Sequence, residues 1–307
     1  KKLQAAFMST ELKIFSGRAS SALASKIAAY LGKNLGELEI KSFSDGEIWA
    51  KYGDNIRGAD VFIIQSTNPP GDNIIELLIL IDAARRASAK RITAVIPYFG
   101  YSRQDRKDQP RVAITAKLMA NVMTVAGLDR IITMDLHASQ IQGFFDIPFD
   151  HLYGSSIFIN ELRSLSTNLV VVSPDVGGIK LARAYANRLG ASLVVSDKRR
   201  PKQNIAEIVN IIGEVDGKDV LLVDDLCDTA GTLVSTVAAL KSKGAAKIFC
   251  AVTHPLLSGP SIDRINNSEI DKMFVLDTIP LRPDISSPKI EVFSAATVFA
   301  EAIVRIH

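Results

Sequence analysis

Two adjacent carboxylates, followed three residues later by a string of small and hydroxylated residues, form the part of this chain best equipped for chemistry. The segment reads Val220-Leu-Leu-Val-Asp-Asp-Leu-Cys-Asp-Thr-Ala-Gly-Thr232. Its four apolar residues read as a buried parallel strand that ends on Asp224 and Asp225. Asp228, Thr229, Ala230, Gly231 and Thr232 then open a helix. A small-residue loop at a helix start presents free backbone N–H groups and the positive end of the helix dipole, a setting for phosphate. A tight acidic pair beside it suits vicinal hydroxyls, with or without a divalent metal. A phosphate at one end and a diol at the other describe a ribose phosphate. Asp and Thr are also ordinary helix caps, so the acids alone would be ambiguous; the whole string is much rarer. Cys227 inside the loop reads as small filler, since no His lies near it in sequence.

Other charged or polar strings stand where strands should end. Arg130-Ile-Ile-Thr-Met-Asp-Leu-His137 is a strand finishing in Asp135 and His137, followed by Gln140-Ile-Gln-Gly-Phe-Phe145. A neutral imidazole at a strand end can hold a metal or a phosphate oxygen. Val170-Val-Val-Ser-Pro-Asp-Val-Gly-Gly178 ends another strand on Asp175, either a metal or ribose contact or a plain helix cap. Ser196-Asp-Lys-Arg-Arg-Pro-Lys202 follows a strand with a basic run that could close on a polyphosphate. Tyr98-Phe-Gly-Tyr-Ser-Arg-Gln-Asp-Arg-Lys-Asp108 is a second charged loop. Phe43-Ser-Asp-Gly-Glu47 reads by itself as a hairpin turn. Neither G-x-x-x-x-G-K-[ST] nor G-x-G-x-x-G occurs, so a bound nucleotide uses neither of those cradles.

The elements that must position these residues alternate. Strand patterns interleave with helical patterns along most of the chain, which predicts an α/β protein with parallel sheets flanked by helices. The halves also echo each other. Leu12-Lys-Ile-Phe-Ser-Gly17 parallels Val170-Val-Val-Ser-Pro-Asp175, and Gly58-Ala-Asp-Val61 parallels Gly217-Lys-Asp-Val220. The near-constant offset predicts an internal duplication, with one domain over 9–155 and a second over 156–307. The last helical segment, Ala295 to Ile306, is a candidate to return to the first domain. Only the second copy carries the acidic loop. The first reads Val61-Phe-Ile-Ile-Gln-Ser-Thr-Asn-Pro-Pro-Gly71 there, which points to another role.

Composition sets the bounds. The 307 residues suffice for two domains, and 47% hydrophobic with 22% charged residues describes a soluble globular chain. A net charge of +3 gives no reason to expect nucleic-acid binding. Apolar runs such as Leu77 to Ile81 are too short to span a bilayer. Two cysteines, Cys227 and Cys250, suggest no disulfide framework and suit a reducing cytoplasm. Lys1 to Phe7, before Met8, reads as a ragged extension outside the fold.

The acidic loop resembles the ribose-5-phosphate signature of type I phosphoribosyltransferases. Taken together, the strings resemble the ribose-phosphate pyrophosphokinase family, of class I type, from about Leu12 to the C-terminus. That resemblance implies two phosphoribosyltransferase-like domains, nucleotide on the first and ribose 5-phosphate on the second. It implies transfer of the diphosphoryl group of ATP to the anomeric hydroxyl of ribose 5-phosphate, leaving AMP. It further implies that Asp228, Thr229, Ala230, Gly231 and Thr232 hold the 5-phosphate, and Asp224 and Asp225 the ribose hydroxyls. His137 and Asp175 match positions for Mg²⁺. Arg103, Gln104 and Asp108 match ATP contacts. Phe43, Asp45, Gly46 and Glu47 match adenine contacts supplied by a neighbouring subunit. Lys198 and Arg200 match catalytic cations. Arg57, Ser88 and Arg111 match a site for activating inorganic phosphate or inhibitory ADP, in an assembly that is commonly a homohexamer. Asn55, Ala113 and Pro255 depart from the usual residues, which bears more on regulation than on catalysis. Competing expectations are a base-salvage phosphoribosyltransferase, which is usually a single domain, a catalytically weak regulatory homologue, which would be expected to lose loop cations or acids, and a transcriptional regulator on the same fold, for which no helix-turn-helix or basic stripe is seen.

Overall fold

A computed structural model of the chain describes residues 10–199 and 208–307. Among these the chain forms two compact units. One holds the residues up to Tyr153 with Thr278–Pro280 and Ala295–His307; the other holds Gly154–Asp277 and Leu281–Ser294. A division at 155/156 therefore assigns two late segments differently from the structure. The reason is physical. The last helix is amphipathic and buries Phe299, Ala300 and Ile303 in the first unit, and Arg91 Nη2 donates to the Ile306 carbonyl at 2.9 Å.

The first unit is built on β1 (Leu12–Ser16), β4 (Asp60–Ile64), β5 (Arg91–Ile96), β6 (Arg130–Met134) and β7 (Phe149–Leu152). They lie side by side in that order, all parallel. The strands read as near-continuous apolar runs because helices cover the sheet. Those helices are α1 (Ser21–Tyr30), α2 (Asp72–Arg86) and α3 (Thr115–Ala126). Phe15, Ile63, Leu77, Ile81 and Phe99 belong to the core between sheet and helices. A separate antiparallel hairpin, β2 (Leu38–Ser42) with β3 (Ile48–Tyr52), stands apart from the sheet.

The second unit repeats the plan. Its strands β8 (Leu169–Ser173), β11 (Asp219–Cys227), β12 (Ile248–Pro255), β13 (Lys272–Leu276) and β14 (Ile290–Phe293) form a parallel run in the same chain order. Helices α4 (Ser155–Leu162), α5 (Ile179–Leu189), α6 (Gly231–Ser242) and α7 (Ser261–Asn266) accompany them, and α8 is Ala296–Ile306 of the first unit. An inserted strand pair again follows the helix after the unit's first strand, β9 (Ser192–Arg199) and β10 (Ile208–Ile212). Here the pair is not separate. β9 pairs with β8, so the insertion widens the sheet to the order β10-β9-β8-β11-β12-β13-β14. The same connectivity with one strand pair placed differently is what a duplicated and diverged unit looks like.

Candidate functional site

The acid pair does not end its strand. β11 continues through Asp224 and Asp225 to Cys227. The expected stop came from reading two charges as a break in an apolar run. β12 overrides that break by continuing alongside, with Asp224 opposite Val252, Leu226 opposite His254 and Cys227 opposite Pro255. On the other side β8 stops pairing at Leu222. The acids therefore ride on a strand end that overhangs β8 at the carboxyl edge of a parallel sheet, where ligands bind in open α/β folds.

Asp224 is half-buried and its carboxyl titrates well above the ordinary carboxylate range. Burial is the main cause, followed by the Asp225 charge, a hydrogen bond with Asp225 and the charge of Asp175. The Asp225 N–H donates to Asp224 Oδ1 at 2.9 Å, which partly offsets the rise. The second unit thus gathers Asp175, Asp224 and Asp225 on one edge. Asp175 lies just past β8. Its Oδ1 accepts the Gly178 N–H at 2.8 Å, and the Ser173 hydroxyl donates to its carbonyl at 2.7 Å. One carboxylate oxygen therefore serves the local turn before α5.

The loop after β11 has a consistent polarity. Four successive carbonyls are taken by protein donors. Cys227 O accepts from Leu257 N at 3.0 Å, Asp228 O from Ser258 N at 2.9 Å, Thr229 O from Arg264 Nη1 at 2.8 Å, and Ala230 O from Val234 N at 3.0 Å. In a trans peptide the N–H points opposite to the C=O. The amides of those peptides therefore point away from the carbonyls' donors, and the Ala230 N–H meets the Cys227 sulfur. Ala230 caps that helix in the left-handed region, φ 59°, a conformation that costs a non-glycine residue about 1–2 kcal/mol. Strain of this kind collects where a backbone is shaped for a ligand. Burial, with the Asp224 charge adding to it, pushes the Cys227 thiol up to about 12, which agrees with a filler and not a nucleophile. Leu257, Ser258 and Arg264 carried no local signal in the sequence. Their part is visible only once α7 and the loop before it fold against the loop after β11.

In the first unit, β6 ends at Met134, short of the Asp135 and His137 expected from the sequence, because Asp135, which is buried, turns to φ 36°, outside the extended region. The next amide, Leu136 N–H, donates to His151 Nε2 at 2.9 Å. Burial lowers the His151 pKa to about 4, so the ring is a neutral acceptor. It packs against the Tyr153 ring, tilted by 42° with 4.7 Å between centroids. His137 follows on the exposed side. His151 was not singled out in the sequence, where it reads as one more polar residue in a strand.

Arg103, Gln104 and Asp108 lie in the exposed loop between β5 and α3. Gln104 Oε1 accepts the Thr115 hydroxyl at 2.5 Å, so part of this side chain anchors α3. Gln140 donates to Asp105, which joins this loop to the segment after His137. At Gly100 the chain passes so close to Thr67 that an added Cβ would stand 2.1 Å from the Thr67 carbonyl oxygen. At the equivalent of the acidic loop the first copy buries Gln65, Ser66 and Thr67. Ser66 Oγ donates to Thr278 O at 2.6 Å and accepts Tyr98 N at 3.1 Å.

Phe43–Glu47 is the five-residue tip of the β2–β3 hairpin. Phe43 N donates to Glu47 O at 2.8 Å, Gly46 N to Phe43 O at 2.9 Å, and Glu47 N to Asp45 Oδ1 at 3.0 Å. Gly46 has φ 97°, which this turn requires. The Phe43 ring is 56% exposed. Arg57 and Ser88 are neighbours through the Gly58 N–H, which donates to Ser88 O at 2.9 Å, and Arg57 lines a surface pocket with Lys51, Tyr52, Asn55 and Ala87. Arg111, φ 68°, belongs to a different segment, the loop before α3.

Lys198 and Arg199 are not in a loop after the strand, as the sequence suggested. Their backbone is the end of β9, with Lys198 opposite Val209 and Arg199 opposite Ile208. Antiparallel pairing extends the strand through the charges. Arg200 lies outside the described residues, as do the structural surroundings of the rest of the basic run.

Among the described residues no group of three or more His, Cys, Asp or Glu side chains is gathered for a metal. His137 and Asp175 are exposed donors at strand ends. Each, taken by itself, is a donor of a kind that fits a hard ion whose other ligands are phosphate oxygens and water. No helix among them is long and apolar enough to cross a membrane.

Known proteins resemble the chain over nearly its whole length. Residues 12–127 match the N-terminal domain of ribose phosphate pyrophosphokinase, and 198–307 match the phosphoribosyl synthetase-associated domain. A ribose-phosphate pyrophosphokinase of Chlorobaculum tepidum is 60% identical over 302 residues, covering 98% of this chain and 93% of that protein. One from Thermosipho africanus is 53% identical, covering 97% and 95%. A crystal structure of phosphoribosylpyrophosphate synthetase from Mycobacterium smegmatis superposes with a TM-score of 0.90 at 36% identity, covering 97% of this chain and 99% of that one. The two-unit α/β plan is therefore the phosphoribosyltransferase type I-like fold of that enzyme. On this identity, coverage and shared fold, the chain belongs to the ribose-phosphate pyrophosphokinase family.

Proposed function

We infer that this chain is a ribose-phosphate diphosphokinase, making 5-phosphoribosyl 1-diphosphate and AMP from ATP and ribose 5-phosphate. The observation that carries this is the second unit's edge. A half-buried acid pair stands beside a loop whose four carbonyls are tied back at the head of a helix.

Asp228, Thr229, Ala230, Gly231 and Thr232 receive the 5-phosphate on backbone amides, hydroxyls and the α6 dipole. Asp224 and Asp225 accept hydrogen bonds from the ribose hydroxyls, which fixes the anomeric hydroxyl in orientation. That hydroxyl oxygen attacks the β-phosphorus of ATP. A new O–Pβ bond forms, the bond from Pβ to the α,β-bridging oxygen breaks, AMP leaves with that oxygen, and the hydroxyl proton is released. Such a reaction needs positioning and charge neutralisation above all. Lys198 and Arg200 supply cationic donors to the transferring group. Arg103, Gln104 and Asp108 hold ATP, and Phe43, Asp45, Gly46 and Glu47 offer an aromatic face and hydrogen bonds for adenine of an adjacent subunit. His137 and Asp175 would hold Mg²⁺, which when bound neutralises phosphate charge. Arg57, Ser88 and Arg111 form an anion site for phosphate or ADP in a homohexamer.

The test is AMP formation from ATP on addition of ribose 5-phosphate with Mg²⁺, with and without inorganic phosphate. AMP is expected in step with phosphoribosyl diphosphate, and to vanish with excess EDTA. Folded protein that forms no AMP under either condition overturns the reading.

A further inference from the structure

The phosphate loop is held by a cation outside the signature. Arg264, on α7, donates from Nη1 to the Thr229 carbonyl at 2.8 Å. The same nitrogen stands 3.3 Å from where a Cβ on Gly231 would lie, so the guanidinium sits against the first residue of α6. Arg264 is exposed, and among the described residues its guanidinium pairs with no carboxylate. A guanidinium has five N–H donors in a planar fork. One bond to Thr229 leaves the rest of the fork for an anion.

The loop itself has the opposite charge. Asp224, Asp225 and Asp228 all flank it, and a ribose 5-phosphate would bring a further dianion. Backbone amides and one helix dipole carry only partial charges. A full positive charge anchored to the loop backbone offsets that repulsion and keeps the Thr229 carbonyl turned away from the phosphate.

We propose that Arg264 is a positioning and specificity residue for the 5-phosphate, clamping the Thr229 carbonyl and presenting its charge at the head of α6. The inference rests on the reading of Asp228–Thr232 as the phosphate loop. Arg264 acts on the sugar phosphate and not on ATP, so its loss separates the two substrates.

The experiment compares wild type, Arg264→Ala, Arg264→Gln and Arg264→Lys. Rates of AMP formation are measured against ribose 5-phosphate at saturating Mg²⁺-ATP, and against ATP at saturating ribose 5-phosphate. Thermal stabilisation by ribose 5-phosphate alone is measured in parallel, with unliganded melting as the control for folding. Arg264→Ala is expected to raise KM for ribose 5-phosphate tenfold or more, with a much smaller change in KM for ATP, and to lose most of the ligand-induced stabilisation. Arg264→Lys should restore part of both because it returns the charge. Arg264→Gln keeps a donor for Thr229 without the charge, and should fall between Ala and Lys. If Arg264→Ala does not fold, the Gln-to-Lys difference in KM for ribose 5-phosphate decides. A KM for ribose 5-phosphate unchanged in the variants, or KM values for both substrates moving together, overturns the proposal. Wild type that forms no AMP and is not stabilised by ribose 5-phosphate overturns the underlying reading, and this inference with it.

Discussion

The Leu136 amide rests on the Nε2 of His151 at 2.9 Å, one residue before His137 and one after the left-handed Asp135. A side chain on β7 thus fixes the backbone at the tip of β6. The bond requires a neutral ring, because a protonated imidazole has no acceptor nitrogen.

This makes stability fall in mild acid. His151 titrates near 4 in the folded chain because burial disfavours its charge, against 6.5 for the unexcluded ring. The unfolded state therefore binds more protons between those values. The stabilisation is full above pH 6.5 and is lost as pH falls toward 4. The ring is partly exposed, so the loss is discounted to roughly 1–2 kcal/mol. Urea unfolding at pH 4.5 and pH 7 should show a smaller difference in His151→Asn than in wild type; equal differences would remove His151 as the cause.

Asp224 is expected to trade stability for function. Its carboxyl is raised above the usual 3.8, by burial first and then by Asp225. Stability from such a group is full below the unfolded value and is lost as pH rises toward the folded one. Asp224→Asn should therefore stabilise the chain at pH 7, while lowering turnover by about a hundredfold or more. Paired denaturant midpoints and AMP assays check it. A lower midpoint would show that the acid pair is not under electrostatic strain.

Gly100 is predicted to tolerate no side chain. An added Cβ meets a backbone oxygen, not a flexible side-chain end. Gly100→Ala should cost roughly 1–3 kcal/mol, as overpacking does. Unchanged unfolding in denaturant would mean that the Thr67 and Gly100 loops part easily.

Lys198→Ala should lower turnover about a hundredfold or more, the loss of one well-placed donor to a transferring group. Unliganded melting should change little, since the residue stands in the end segment of the sheet's outer strand pair. Wild-type turnover in this variant would remove Lys198 from the chemistry.

The grouping of the candidate site was legible from local sequence. Asp224, Asp225 and the Asp228–Thr232 string fall within nine residues of chain, so bringing them together needs no distant partner. The hairpin turn of Phe43–Glu47 was legible for the same reason: its hydrogen bonds close within five residues. The α/β alternation follows from apolar periodicity, which each segment carries by itself.

The rest depended on partners distant in the chain. Whether β11 stops at its acids was decided by β12, which continues beside it. Whether the loop carbonyls face a ligand was decided by Leu257, Ser258 and Arg264. Where the last helix belongs was decided by the apolar face it buries against the first unit. The sequence by itself determined which functional groups are present and the period of the elements that carry them. Only the tertiary structure decided which of those groups are desolvated, which loop carbonyls are tied back and which strand ends project, because hydrogen-bond satisfaction and burial are supplied by neighbours in space.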